Sequence, residues 1–340
     1  MMKYLCIASC WINALVDEFA EQGLDVLQIT HGLPGFKQGS FSENDRLDLL
    51  SARILWHRAA RLSNDPLLGA RIGLTPNYRS VGVLAPLIWH SETLMAALNN
   101  IARYQSLISE NGAFRYQRQE NGRVLCVYEE TPAALPASLQ QILSVTVASI
   151  VMIKTLSPAK HCVAKLTVPQ GTPTSGLSGL LDIEVENAGQ QVSFELQLTE
   201  AELQQATIGR DPVLYRMCLE YANSLLVDQD KGTAVIQQVR RYVAHQGMIQ
   251  SDISGCAGVL SVHPRTLQRQ LEQAGTSFRK LKDEVLKEHA LAAINQSTDI
   301  KHIAEQLGYS ELSGFYRNFK NWFGVTPKKA LKDGVLHTKK

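Results

Sequence analysis

Apolar positions along the chain change their spacing, and the changes mark out its organisation. Over residues 11–19 and again over 46–62 they recur at helical spacing, the second run setting Leu47, Leu50, Ile54, Leu55 and Ala59 on one side. Pro66 and Gly69 interrupt the pattern. A further helical run covers 93–108, with Ser91 or Glu92 as its cap. Residues 113–130 then alternate around Asn121-Gly122, which predicts a β-hairpin. A long apolar helix is expected over 135–156, followed by strand-like segments at 164–168 and 191–198. From Thr233 onward the pattern is helical throughout, with turns at Gly247, Gly275, Gly308 and Gly324. The polar, glycine-ended stretch 228–232 reads as the boundary. The expected architecture is an α+β sensing and dimerisation domain, residues 1–230, followed by an all-α domain, residues 233–335.

The all-α part contains a repeat. Ile253, Ala257 and Leu260 match Ile300, Ala304 and Leu307 at an offset of 47, and Leu267, Arg269 and Leu271 match Phe315, Arg317 and Phe319 at 48. Each copy has a first helix with a small Ala facing inward, a short turn, and a second helix with apolar residues four apart. These are the parts of a helix-turn-helix, since the Ala lets the two helices cross closely. A helical pattern near 278–294 joins the copies and, at 1.5 Å per residue, spans about 27 Å. That length suits two recognition helices entering major-groove segments about 34 Å apart.

Charge sharpens this picture. The whole chain carries a net charge of only +2, but residues 1–232 hold 18 Lys/Arg against 23 Asp/Glu and residues 233–340 hold 16 against 9. The second part is therefore the one suited to a polyanion. The six cysteines form no CxxC pair and read as free thiols in a reducing compartment. Cys6 and Cys10, four apart, have no His or third Cys nearby to complete a metal site. Ile7-Ala8-Ser9-Cys10 looks like a lipoprotein cleavage box but follows too short an apolar stretch, and no later run reaches the ~18 apolar residues of a membrane span. The expected location is the cytoplasm, at the nucleoid.

Residues 233–340 resemble the DNA-binding domain of the bacterial AraC/XylS family. The resemblance rests on Pro264-Arg265-Thr266-Leu267-Gln268-Arg269, Gly275-Thr276-Ser277-Phe278, Ile303-Ala304, Leu307-Gly308-Tyr309, and the closing Phe315, Arg317, Phe319-Lys320, Trp322-Phe323-Gly324 and Pro327. It implies that Arg265, Gln268 and Arg269 read promoter or operator DNA in the major groove. Leu312, Ser313, Gly314 and Arg317 would do so in the second unit, with Lys320, Lys328, Lys329 and Lys332 nearer phosphates. There are departures: Leu286 stands where the family usually has Arg, His263 replaces a Ser cap, and Gly255 and Gly258 weaken the first helix.

Residues 1–230 resemble, more loosely, the arabinose-binding-like sensor domain of AraC-type regulators. The matching residues are Asp65-Pro66-Leu67-Leu68-Gly69, Ser91-Glu92-Thr93-Leu94, Ala97-Leu98, Arg103-Tyr104 and Asp211-Pro212. The resemblance implies control by a small-molecule effector, an amino acid or another organic or lipophilic acid. Arg53, Arg71, Arg79 and Arg103 are the candidates to hold its carboxylate, because Arg binds one bidentately. A homodimer formed through this domain, with apolar helices such as 135–156 at the interface, and RNA polymerase are the further partners expected. No phosphate loop, metal spacing or nucleophile elbow occurs, so neither catalytic residues nor a cofactor or metal is expected. Two alternatives carry distinct requirements. A DNA-repair alkyltransferase would need a four-Cys zinc cluster, and an architectural DNA binder would have no need of the first 230 residues.

Overall fold

The computed structural model describes the chain apart from residues 1–4, 34–35, 37–39, 42–45, 76–77, 121, 134, 160, 246–249, 297–298 and 334–340, and apart from the side chains of 78, 79, 189, 231, 245, 295, 296, 332 and 333. The first part contains β1 (Cys6–Ala8), α1 (Ser9–Glu21), α2 (Val26–Thr30), β2 (Arg46–Asp48), α3 (Leu49–Ser63), α4 (Leu68–Leu74), α5 (Leu84–Trp89) and α6 (Leu94–Tyr104). The hairpin β3 (Gly112–Arg118) and β4 (Val124–Glu130) follows, then α7 (Leu139–Leu156), β5 (Val163–Pro169), α8 (Thr174–Leu181), β6 (Glu184–Gly189), β7 (Ser193–Leu196) and α9 (Glu200–Leu203). A long α10 (Pro212–His245) leads into α11 (Ile253–Val259), α12 (Pro264–Gln273), α13 (Phe278–Gln296), α14 (Ile300–Gln306), α15 (Leu312–Phe323) and α16 (Pro327–Asp333).

The expected hairpin forms, its register running from Gly112 opposite Glu130 to Arg118 opposite Val124. Gly122 takes φ +80° at the turn, a conformation that glycine adopts without strain. β3 and β4 lie at one edge of a five-stranded sheet of order β3-β4-β7-β5-β6, antiparallel except for the β5–β6 pair. β6, and the three-residue β1–β2 pair, were not expected. Residues 46–48 leave the helix predicted over 46–62 to form β2, and Asp48 then caps α3 by accepting from the Ser51 N–H at 2.8 Å. Thr93, rather than Ser91 or Glu92, caps α6.

The apolar helix expected over 135–156 is α7, and it is the spine of the first part. It packs so closely on α4 that a Cβ at Gly69 would strike the Gln140 carbonyl, and one at Gly73 would lie 2.6 Å from that of Ser144. Leu143, Val147, Ile150 and Ile153 bury the other side in a cluster shared with the sheet. By length and mean composition α7 could cross a membrane, although polar residues interrupt it and it holds no run of ~18 apolar residues. Its Gln141, Ser144 and Thr146 are buried among neighbouring elements instead.

No turn interrupts the chain at 228–232. These residues lie inside α10, whose 34 residues span about 51 Å. Gln229 donates to the Ser106 carbonyl at 2.9 Å on the first part, while Gly232 lets the helix pass Ala274 on the second, where a Cβ would lie 3.1 Å away. A breaker by composition is thus a packing residue by position.

The two parts also share a core. Leu50 and Ile54 of α3, with Leu135, are buried in one cluster with Leu286, Ala290, Leu291 and Ile294 of α13 and the aromatic residues of α15. Beside it lies a buried polar network. Lys287 of α13 meets Asp48 at 3.4 Å and donates to the Ser51 hydroxyl, while Arg240 of α10 pairs with Glu284 at 3.6 Å and Glu288 at 2.6 Å. Asp48, Glu284 and Lys287 are all almost fully buried.

Candidate nucleic-acid interface and ligand cleft

The two sequence repeats fold into equivalent helix-turn-helix units. Asp252 caps α11, accepting from the Gly255 N–H at 2.8 Å, and Asp299, 47 residues later, caps α14 through the N–H groups of Lys301 and His302. In each turn an N–H returns to the carbonyl of the inward Ala: Val262 to Ala257 at 3.0 Å, Tyr309 to Ala304 at 2.9 Å. The residue before it is left-handed in both, Ser261 at φ +55° and Gly308 at φ +85°. Ala257 and Ala304 are buried at the crossings.

Each second helix buries one face and exposes the other. In α12, Leu267 and Leu271 are buried, and Arg265, Gln268 and Arg269 are exposed, with the Gln268 amide held to Glu272 at 2.9 Å. In α15, Phe315, Phe319, Trp322 and Phe323 are buried, and Leu312, Ser313, Arg317 and Lys320 are exposed. Gly314 sits half-buried beside the Tyr309 ring, where a Cβ would lie 3.4 Å from a ring atom, so it presents backbone rather than a side chain. The Trp322 indole donates to Asp283 of α13 at 2.9 Å and anchors the end of α15. The 19 residues of α13 separate the two units by about 28 Å of helix. Lys328 and Lys329, expected nearer phosphates, are exposed on α16. The side chain of Lys332 lies outside the described residues.

The first part holds a cleft of about 270 Å³ between α1, α4, α5, α6, α7 and the sheet. Its walls are mostly apolar, with Trp11, Leu15, Leu84, Ile88, Phe114 and Met152 among them. Of the arginines expected to hold a carboxylate, Arg53, Arg71 and Arg103 do not line the cleft. Arg53 is fully buried and spends its donors on the Leu135 and Thr131 carbonyls, both at 2.6 Å, and on Asn111 at 2.9 Å. Arg71 pairs with Asp65 at 3.1 Å on the surface, and Arg103 lies over the Tyr104 ring and donates to Asn223. The side chain of Arg79 lies outside the described residues. Among the described residues no Arg, Lys or His lines the cleft, so this cleft does not gather the expected carboxylate site. Sequence reasoning also missed Gln141, which lines the cleft fully buried, with neither amide atom hydrogen-bonded. Its sequence signal is weak, because Gln140, Ser144, Thr146 and Ser149 also interrupt the apolar pattern of α7. Cys6 and Cys10 fall on a strand and a helix, and the Cys6 sulfur accepts from Arg46 at 2.7 Å.

Comparison with known proteins agrees with both halves of this description. The profile for the arabinose-binding domain of AraC transcription regulators matches residues 23–176, and that for a helix-turn-helix domain matches residues 256–333. The chain is an AraC-family regulator. Similar proteins include the ornithine utilization regulator of Pseudomonas aeruginosa, 23% identical over 93% of this chain and 94% of that one. An uncharacterized HTH-type transcriptional regulator of Mycobacterium tuberculosis is 25% identical over 81% of each chain. The crystal structure of the transcriptional regulator CdpR from Pseudomonas aeruginosa aligns with 95% of this chain and 97% of its own at 19% identity and a TM-score of 0.49.

Within an AraC-family regulator the departures acquire physical reasons. His263 does cap α12, its Nδ1 accepting from the Arg265 N–H at 3.3 Å. Gly255 faces the Tyr242 hydroxyl of α10, which a Cβ would strike. Leu286 is apolar because it is buried in the core shared with α3.

Proposed function

We propose that this AraC-family regulator binds operator DNA through α12 and α15 at once, under control of a small molecule held by the first part, in the cytoplasm. The observation that carries the reading is the pair of equivalent units, each exposing an arginine-bearing face on the basic part of the chain. Arg265, Gln268, Arg269 and Arg317 suit base edges, with Leu312 offering apolar contact to a thymine methyl, and Lys320, Lys328 and Lys329 suit phosphates. A gel-shift titration of the full chain on its selected site tests this. Affinity is expected to fall at least about a hundredfold between ~50 and ~200 mM salt as counterions are released. A salt-independent affinity would contradict it.

The dimer surface we assign is on α10, not α7, whose faces are taken up by α4, the core and the cleft. Val213, Met217 and Tyr221 are exposed at intervals of four, with Leu214 beside them. Arg210 and Arg216 lie at the N-terminal end of this stripe, and Glu220 and Asp228 toward the other. Two copies running antiparallel would set opposite charges against each other along one apolar seam. Met217→Glu is expected to shift the chain from dimer to monomer in sedimentation at micromolar concentration; an unchanged dimer would remove α10 from the interface.

A further inference from the structure

We propose that the cleft beside α7 binds an uncharged, largely apolar small molecule whose polar head hydrogen-bonds to the side-chain amide of Gln141. This rests on the reading of the chain as an effector-controlled regulator and specifies the effector's chemistry. Three observations carry it. First, the walls are apolar and enclose about 270 Å³, just under the range of roughly 300–1,000 Å³ typical of ligand sites, so the occupant is compact. Second, a buried amide ordinarily finds partners for both its oxygen and its nitrogen, and the Gln141 side chain has neither. Its polar neighbours in the lining are engaged: Asn111 with Arg53 and the Tyr128 hydroxyl, Ser144 with the Gln141 carbonyl, Ser149 with that of Val145. A head that both donates and accepts, such as an amide, satisfies Gln141 completely.

Third, the described lining does not favour a charged head. Among the described residues the lining holds no cation, and its one carboxylate is Glu18 of α1. An anionic head brought here meets the Glu18 carboxylate and the desolvation of an apolar cleft, with no cation among the described lining residues to offset either. An ammonium head only donates, so it would leave the Gln141 amide nitrogen without an acceptor.

The test uses the full chain and the neutral dye N-phenyl-1-naphthylamine, which brightens in apolar surroundings and quenches the cleft tryptophans Trp11 and Trp89. The dye is expected to bind saturably, and decanamide to displace it at least about tenfold more tightly than decanoate or decylamine do. Gln141→Leu should keep dye binding but weaken decanamide several-fold, and Ala148→Trp, which fills the cleft, should abolish dye binding while the chain still shifts DNA. Absence of saturable dye binding, decanoate or decylamine matching decanamide, or Gln141→Leu leaving decanamide unchanged would each overturn the proposal. DNA binding by the unliganded wild type, measured alongside, separates these outcomes from failure of the regulator reading: a chain that shifts DNA but behaves in any of these ways loses only the ligand assignment.

Discussion

Lys287→Met is expected to destabilise the chain by about 3–5 kcal/mol, lowering the thermal midpoint by roughly 4–7 °C. The reason is what the substitution leaves behind. Asp48 is 1% exposed at the junction of the two parts. Burial pushes its carboxyl up, but the Lys287 ammonium at 3.4 Å and hydrogen bonds from Ser51 outweigh that and hold it below its ordinary value. Without Lys287 a buried carboxylate keeps only its hydrogen bonds from Ser51 and the weaker pull of Lys280. Replacing both partners removes the orphaned charge, so Lys287→Met/Asp48→Asn should recover at least half of the lost stability. A single variant as stable as the wild type would mean that the parts do not hold together through this pair.

The second large effect depends on pH. Glu284 is buried on α13 with both carboxylate oxygens lacking a hydrogen-bond partner, and its pKa is raised to about 8. Burial is the main cause and Asp48 adds to it, against the opposing pull of Arg240, Lys280 and Lys287. A raised carboxyl means that the folded chain binds a proton the unfolded chain has released. Stability from this group is therefore complete below the ordinary glutamate range near 4.5 and is lost as pH rises toward 8. A shift of that size corresponds to roughly 4–5 kcal/mol over the interval. Burial raises Glu288 in the same direction, whereas Asp48, held low, stays ionised throughout and adds no slope above pH 6. The wild type should thus be measurably less stable at pH 8.5 than at pH 6, and Glu284→Gln should be the more stable of the two at pH 8.5. Equal slopes for both proteins would show that Glu284 does not titrate in this interval.

The helix-turn-helix units were legible because their sequence requirements are local. An inward Ala, a turn and a four-residue apolar spacing recur at one offset, and the exposed residues follow from the same spacing. Even the paired caps Asp252 and Asp299 could have been found at that offset. Ser261 could not, because nothing in its identity announces a left-handed backbone that Gly308 adopts freely in the second copy. That residues 228–232 are helical was not legible for a related reason: polar residues and a glycine read as a break only when nothing packs there, and α10 is held by Ser106 on one side and Ala274 on the other. Arg53 was not legible as a backbone anchor because a guanidinium serves backbone carbonyls as well as a carboxylate. Whether Arg53 meets one or the other depends on residues 58 to 82 positions away in the chain. The cleft itself is assembled from five helices and a sheet, and no segment of sequence carries its shape.

The central claim is that two arginine-bearing helices read DNA together, and enrichment of random duplexes by the full chain tests it most directly. The wild type should select two conserved blocks whose centres lie about 10 base pairs apart, one helical turn. Arg265→Ala should blur one block and Arg317→Ala the other, each at a cost of about 1–3 kcal/mol on the selected site. Identical motifs from all three proteins, or a single block erased by either substitution, would contradict the account.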